Sequence, residues 1–196
     1  MKRIISVLFI MCFGFANNLI AEVSQSIKRI SVGEKNSKIT IIAYESLTCG
    51  HCADFHKNVY PDLKKDFIDK GLVRIEFRHF PLDIAAFNAS KIGQCNNDGN
   101  ADVLNILYSG QKKWAKGKTP EEATVYLKKF LKDEGVKVDF EKCLNNKAVE
   151  DYVLKDRIEG VKKFKVNATP TIIINNKKFD KTLNYKNLKE SLEKLI

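Results

Sequence analysis

Apolar positions change their spacing several times along the chain, and each change predicts an element. Ile27 to Val32 suits a short first strand. Lys38-Ile39-Thr40-Ile41-Ile42-Ala43-Tyr44 is a nearly continuous apolar run, which suits a strand buried on both faces. Cys52, Phe55, Val59, Leu63 and Phe67 then recur every three or four positions and define one helical face. Pro61 should kink that helix, because it lacks an N–H and its ring crowds the preceding turn. Lys70-Gly71 should end it. Val73, Ile75 and Phe77 alternate with Arg74, Glu76 and Arg78, a period of two that marks a strand.

From Ile84 to about Lys163 the pattern is helical, with no convincing strand. Thr119-Pro120-Glu121-Glu122 reads as a capping box with proline at the first helical position. Val125, Tyr126, Phe130 and Leu131 are expected to form the apolar face behind it. Asp139 is placed to cap the short helix that carries Cys143. The pattern then reverts. Thr171-Ile172-Ile173-Ile174 reads as a buried strand, Asn175-Asn176 as a turn that tolerates positive φ, and Lys177 to Phe179 as the return strand. Tyr185, Leu188, Leu192 and Leu195 make the face of a closing helix. Strand-helix-strand, a helical block, then strand-strand-helix is the layout of an α/β thioredoxin fold with an inserted helical domain. It divides the chain into 22–83, a helical insertion at 84–163, and 164–196.

Residues 1–21 read differently. Lys2 and Arg3 precede an apolar stretch from Ile4 to Phe15, and no acidic residue occurs before Glu22. This is the pattern of a cleaved signal peptide, with Ala21 as the chosen end; a retained N-terminal anchor is the alternative. Cys12 follows a bulky Met11 where a lipoprotein signal would have a small residue, so it is grouped with the segment that is removed. Without Lys2 and Arg3 the chain has 32 basic and 24 acidic residues, a net +8. The lysines are dispersed, and no basic block is interleaved with aromatics, so no nucleic-acid partner is expected. Four cysteines remain after the leader: Cys49, Cys52, Cys95 and Cys143. An even number in an exported chain points to an oxidising compartment and to pairing.

Cys49-Gly50-His51-Cys52 carries the candidate chemistry. A CxxC serves as a redox dithiol, as half a zinc site, or as a haem attachment. Haem attachment needs His directly after the second Cys, and Ala53 stands there. A structural zinc site usually needs a second ligand pair; His56 lies near, but no such pair follows, so neither a metal nor a cofactor is expected. The redox reading fits the position, because the motif follows a buried strand and opens a helix. A helix N-terminus offers free N–H groups and a positive dipole end to a thiolate. Cys49 should therefore be the low-pKa nucleophile, and Cys52, inside the first turn, the buried resolving thiol. His51 either adds positive charge beside Cys49 or is an exposed bystander. His79 shares the apolar parity of its strand and reads as a hydrogen-bonded core histidine.

These residues carry a resemblance. Cys-Gly-His-Cys, followed by Ala53-Asp54-Phe55-His56 and Tyr60-Pro61, resembles the bacterial DsbA-type disulfide oxidoreductases. So do Arg78-His79-Phe80-Pro81-Leu82 after the next strand and Asn167-Ala168-Thr169-Pro170-Thr171 before the fourth. The branch with Thr before the proline, as in alphaproteobacteria, is the most similar. The resemblance implies that Cys49 forms the mixed disulfide and Cys52 resolves it. It also implies that Pro170 is cis, with Thr169 facing the sulfurs. For Cys95 and Cys143 it implies a second, non-catalytic disulfide; two buried free thiols are the alternative. One departure stands out. The acid that DsbA-like chains commonly place six residues before the first cysteine is Ala43 here. Glu45 lies two residues later, on the same face by parity. It is read as either a substitute proton acceptor for Cys52 or a solvated residue near the strand end, the second being slightly favoured.

The function implied is donation of a disulfide to reduced, unfolded exported proteins in the periplasm, with reoxidation by a DsbB-like membrane partner. A disulfide isomerase or reductase is the rival enzyme. Dimeric isomerases of the superfamily carry a long N-terminal dimerisation domain, whereas residues 22–38 alone precede the buried strand, so a monomer is expected. The rival from another class is a peptide-binding module or metallochaperone that uses the groove without turnover.

Overall fold

The computed structural model describes residues 27–95 and 98–196, and the expected signal peptide at 1–21 lies outside them. Among these residues five strands form one sheet: β1 (Ser31–Val32), β2 (Ile39–Glu45), β3 (Val73–His79), β4 (Thr171–Ile174) and β5 (Lys177–Lys178), in the order β1-β3-β2-β4-β5. β2 and β3 are parallel, with Ile41 opposite Ile75. β4 runs antiparallel to β2, with Ile42 opposite Ile173. β1 and β5 are short antiparallel edges. The first strand is therefore shorter than Ile27 to Val32: only Ser31 and Val32 pair in register, while Ile30 adds its carbonyl to the N–H of Phe77.

Burial of β2 on both faces follows its apolar run. Ile39, Ile41 and Ala43 belong to the main core, while Ile42 and Tyr44 join Phe80, Phe164, Val166 and Ile173 in a second cluster. Helix α1 (Gly50–Asn58) covers the main core with Cys52 and Phe55. It breaks at Val59 and resumes as α2 (Tyr60–Leu63), with a π-helical turn at Lys64–Ile68. The break falls two residues before Pro61, where the missing N–H removes one helical hydrogen bond. Gly71, at φ +72°, closes the segment.

Among the described residues, six helices lie between β3 and β4: α3 (Ile84–Cys95), α4 (Asp102–Ser109), α5 (Gln111–Trp114), α6 (Pro120–Asp133), α7 (Phe140–Leu144) and α8 (Lys147–Phe164). Thr119 caps α6 by accepting from the Glu122 N–H at 3.2 Å, and Asp139 caps α7 by accepting from that of Lys142 at 3.1 Å. The buried face of α6 is Ala123, Leu127, Phe130 and Leu131. Val125 and Tyr126 are exposed instead, because at about 100° per residue they fall outside the stripe set by 123, 127, 130 and 131. Cys95, at the end of α3, is bonded to Cys143 of α7. Helix α8 is pinned to the sheet by buried Asp156, which accepts from the His79 N–H at 3.1 Å and pairs with Arg29 at 2.6 Å. Gly160 of α8 lies so close to Tyr44 that a Cβ there would meet the ring at 2.8 Å.

Asn175 and Asn176, at φ 45° and 67°, make the tight turn between β4 and β5. Helix α9 (Tyr185–Glu193) closes the fold with Leu188 and Leu192 buried; Leu195 lies past its end and is exposed.

Candidate active site

The centre forms where β2 ends and α1 begins. Cys49 is the N-cap of α1 in extended conformation, so the first N–H groups of the helix point towards it. Its carbonyl accepts from the N–H groups of Cys52 and Ala53, both at 3.2 Å. Cys49 is half-buried, Cys52 is fully buried, and both are free thiols.

Their ionisation is set apart by surroundings. Cys49 is lowered from the ordinary 9.0 to about 5: the Cys52 thiol donates to its sulfur, outweighing a desolvation cost, and Thr169 and the N–H groups of Cys52 and His51 add to the effect. Cys52 is pushed strongly upward, first by burial, then by its bond to Cys49, then by the charge of Glu45. One sulfur is thus a thiolate near neutral pH and the other a thiol. His51 contributes its backbone N–H, while its side chain is exposed.

Thr169-Pro170 is a cis peptide bond and sits across from the nucleophile. In the protonated state the Cys49 thiol donates to the Thr169 carbonyl at 3.3 Å. The Thr169 hydroxyl is buried with no partner among the described residues, free to turn towards the sulfur. The structure therefore brings together Cys49, Cys52, Thr169 and Pro170. His51, Thr169 and Pro170, with Phe55, Val59 and Tyr185, line a groove of about 500 Å³ beside the sulfurs.

Glu45 is not solvated. It is buried, and its Oε2 lies 2.9 Å from Nε2 of His56, whose side chain is 5% exposed. The reading that favoured a solvated strand end fails because α1 and α4 close over that end. The His56 ring stacks on Tyr108 of α4 at 4.0 Å and 21° and lies 5.2 Å from the ring of Phe77. His79 is a buried core histidine whose Nε2 is 2.9 Å from Oε1 of Gln94.

Gln111 was not singled out by any sequence motif. Its amide reaches from α5 to the loop before α1, donating to the carbonyls of Leu47 at 2.8 Å and Cys49 at 2.9 Å. Thr48 ties the same loop to the start of α3 by donating to Asp83 at 2.6 Å. The inserted helices thus hold the loop that presents Cys49. Among the described residues no group of three or more His, Cys, Asp or Glu side chains converges as a metal would require.

An asymmetric dithiol at a helix N-terminus facing a cis-proline loop defines a thioredoxin-fold oxidoreductase centre. The family model described as Thioredoxin matches residues 25–194, and the chain belongs to that family. Its structure is similar to that of Wolbachia pipientis alpha-DsbA1, which is 28% identical, with a TM-score of 0.75 over 85% of this chain and 90% of that one. A protein-disulfide isomerase structure from Novosphingobium aromaticivorans, 19% identical, shares the fold with a TM-score of 0.76 over 85% of this chain and 97% of that one. In sequence, the disulfide bond formation protein D of Bacillus subtilis (strain 168) is 25% identical over 176 residues, 83% of this chain and 75% of its own. A Rickettsia bellii protein, whose name assigns it provisionally to the protein-disulfide oxidoreductases, is 28% identical over 151 residues, 74% of this chain and 56% of its own. The chain spans about half the length of the rickettsial relatives it matches. The chain is a DsbA-like member of the thioredoxin-fold oxidoreductases, and its alphaproteobacterial likeness is to the Wolbachia structure.

Proposed function

We propose that this chain introduces disulfide bonds into reduced, unfolded proteins exported to the periplasm, by exchange through Cys49 and Cys52. The observation that carries the reading is the split between the two sulfurs, with Cys49 lowered to about 5 and Cys52 held protonated by burial. A low-pKa sulfur is a good leaving thiolate, so a disulfide containing Cys49 is passed outward readily.

In the oxidised enzyme a substrate thiolate attacks Cys49. The Cys49–Cys52 bond breaks, its electron pair stays on Cys52, and Cys52 takes up a proton. A second substrate thiolate attacks the substrate sulfur of the mixed disulfide and releases Cys49 as a thiolate. The substrate gains a disulfide and the enzyme keeps two electrons. The backbone of Thr169 beside the groove offers hydrogen bonds to an extended substrate segment. Reoxidation passes the two electrons to a DsbB-like membrane partner. In this reading residues 1–21 export the chain, 22–83 and 164–196 build the catalytic domain, 84–163 is the insertion, and Cys95–Cys143 is a structural bond in a monomer.

The test is the reduction potential of the Cys49–Cys52 couple together with oxidation of a reduced, unfolded protein. A potential above about −180 mV, and an activity abolished by Cys49→Ala, are expected. A potential near about −270 mV would make the chain a reductase. Activity that survives Cys49→Ala would make it a binding module.

A further inference from the structure

Lysines that are dispersed along the sequence are gathered by the fold. A second groove, of about 910 Å³, lies between α1 and α2 on one side and α4 and α5 on the other. It opens on the flank of α1 away from the cis-proline loop. Asp54 lines both grooves and so stands on the ridge between them. Against that one aspartate the second groove sets Lys57, Lys64, Lys112 and Lys113. Lys64 and Lys113 are engaged at the rim, by Asp69 at 2.5 Å and Glu134 at 3.3 Å. Lys57 and Lys112 are exposed and have no ion-pair partner among the described residues. Tyr60 and Tyr108, both buried, line the base between the two walls.

The groove is long, and one end of it is at the nucleophile. Gly50, Asp54, Lys57, Pro61 and Lys64 recur every three or four residues, so one face of α1 and α2 forms a whole wall. At 1.5 Å per residue that wall is about 20 Å long, the span of about six residues of extended chain. Gly50 directly follows Cys49. On the opposite wall Gln111, the residue before Lys112, donates to the Cys49 carbonyl at 2.9 Å. Lys112 therefore stands towards the sulfur, Lys57 about 10 Å along the wall from Gly50, and Lys64 at the far end. A compact anion would engage one or two of these ammonium groups. Charges strung along about 20 Å suit a chain that carries several carboxylates.

We propose that this groove binds an extended, acidic segment of the client protein, the stretch within about six residues of the cysteine that joins Cys49. The proposal rests on the exchange function above. A client chain tethered at Cys49 leaves the sulfur in two directions: one runs along the cis-proline loop, the other past Gly50 into the lysine-walled groove. There its apolar atoms lie on Tyr60 and Tyr108, and its carboxylates meet Lys112, Lys57 and Lys64 in turn. Attraction by exposed lysines acts over about 8–10 Å at ordinary salt, so it speeds capture of the client and leaves the exchange chemistry unaltered. Among reduced clients the groove selects those with Asp or Glu near their cysteines, and a basic segment is repelled.

Synthetic two-cysteine peptides are the probe. They share one core and differ in the six residues beside it, which are rich in glutamate, glutamine or lysine; each is made with that segment before and after the core. Single-turnover oxidation by the oxidised wild-type chain is followed by mass spectrometry. At low salt and limiting peptide, the glutamate peptide should react roughly tenfold faster than the glutamine peptide in at least one of the two orders, since each of several exposed ion pairs contributes up to a few-fold. The preference should fade at about 1 M salt, where the Debye length is about 3 Å. Lys57→Glu/Lys112→Glu should abolish it and keep the glutamine peptide within about twofold of wild type. Lys57→Gln/Lys112→Gln, a milder change, should reduce it to about threefold or less. Lys155→Glu/Lys162→Glu makes the same change in net charge on exposed positions of α8, across the sheet from α1, and should keep the preference. Titrating in a cysteine-free glutamate-rich peptide should shift the amide resonances of Lys57 and Ser109. Equal rates for the glutamate and glutamine peptides in wild type overturn the proposal. So does a preference lost equally in the groove variants and in the α8 variant, which would make it an effect of net charge alone. Shifts confined to Thr169 and Tyr185 would place the acidic segment in the first groove and overturn it too. A wild-type chain that oxidises none of the peptides overturns the exchange function instead.

Discussion

Opening the Cys49–Cys52 bond should stabilise the fold at high pH and destabilise it at low pH. Two effects compete. The disulfide closes a loop of four residues, which in the chain-entropy model stabilises the oxidised form by about 1.9 kcal/mol at any pH. The reduced form gains from the Cys49 thiolate, whose folded pKa of about 5 lies below the ordinary 9.0. A depressed folded pKa stabilises fully above the unfolded value, and that stability is lost as pH falls through the folded one. Unscreened, the gain is about 4 kcal/mol at pH 8, about 2.7 kcal/mol at pH 7, and below about 0.1 kcal/mol at pH 4. Cys49 is only half-buried, so solvent screening lowers the first two figures. The two effects balance at about pH 6.4 without screening, and at a higher pH with it.

The assay is thermal melting of oxidised and reduced protein at pH 4, 7 and 8, without air. A Cys95→Ala/Cys143→Ala background keeps reductant from acting on the other bond. At pH 4 the oxidised form should melt roughly 4–8 °C higher, taking about 2–4 °C per kcal/mol for a chain of this size. That lead should close and then invert as pH rises. Other titrating groups cancel in the difference, since only the redox state changes. A gap that stays constant from pH 4 to pH 8 would refute the thiolate as the source. The pH-dependent part should also vanish when Cys49→Ser is compared with the oxidised protein.

Iodoacetamide at about pH 6.5 should label Cys49 and leave Cys52 untouched in the native reduced chain, as peptide mapping will show; equal labelling would deny the split between the sulfurs. Cys95→Ala with Cys143→Ala should cost about 4 kcal/mol of stability, the chain-entropy value for the loop those cysteines close. The same variant should keep oxidation of a reduced substrate within a few-fold. Gln111→Leu removes the donor shared by the Leu47 and Cys49 carbonyls, so denaturant unfolding should show a loss of about 1–3 kcal/mol. Unchanged stability would mean that water replaces the amide.

Much of the fold was legible because local rules agree there with the tertiary result. The run through β2 is apolar on both parities, and both faces are in fact covered. Alternation in β3 leaves Arg74, Glu76 and Arg78 on one side, where they pair with one another. Where the rules admit two answers, packing decided. Val125 and Tyr126 are apolar enough to suggest a core face, but Ala123 and Leu127 give α6 a better-aligned stripe with Phe130 and Leu131. A small alanine carries little hydrophobic signal, so the apolar residues alone shift the phase of the stripe by about a quarter turn. Gln111 left no signal. Its role depends on α5 being folded back on the loop before α1, more than 60 residues earlier in the chain, and a glutamine beside lysines on a short helix reads as surface.

Glu45 is where strand parity and local polarity point in opposite directions. Parity puts it on the face of Ile41 and Ala43, whereas a lone acid at a strand end is usually solvated. A carboxylate on a covered face needs a partner, because an unpaired buried charge is too costly to persist. The covering element is α1, and its buried stripe runs through Cys52 and Phe55. The first side chain beside that stripe able to pair with a carboxylate is His56. Parity on the strand and spacing on the helix together therefore name the pair that the structure shows at 2.9 Å. What they omit is Tyr108, brought by the insertion to hold the ring flat. The pairing can be deduced from two adjacent elements; the groove beside it, lined by His56 and Tyr108, exists only once α4 has packed against α1.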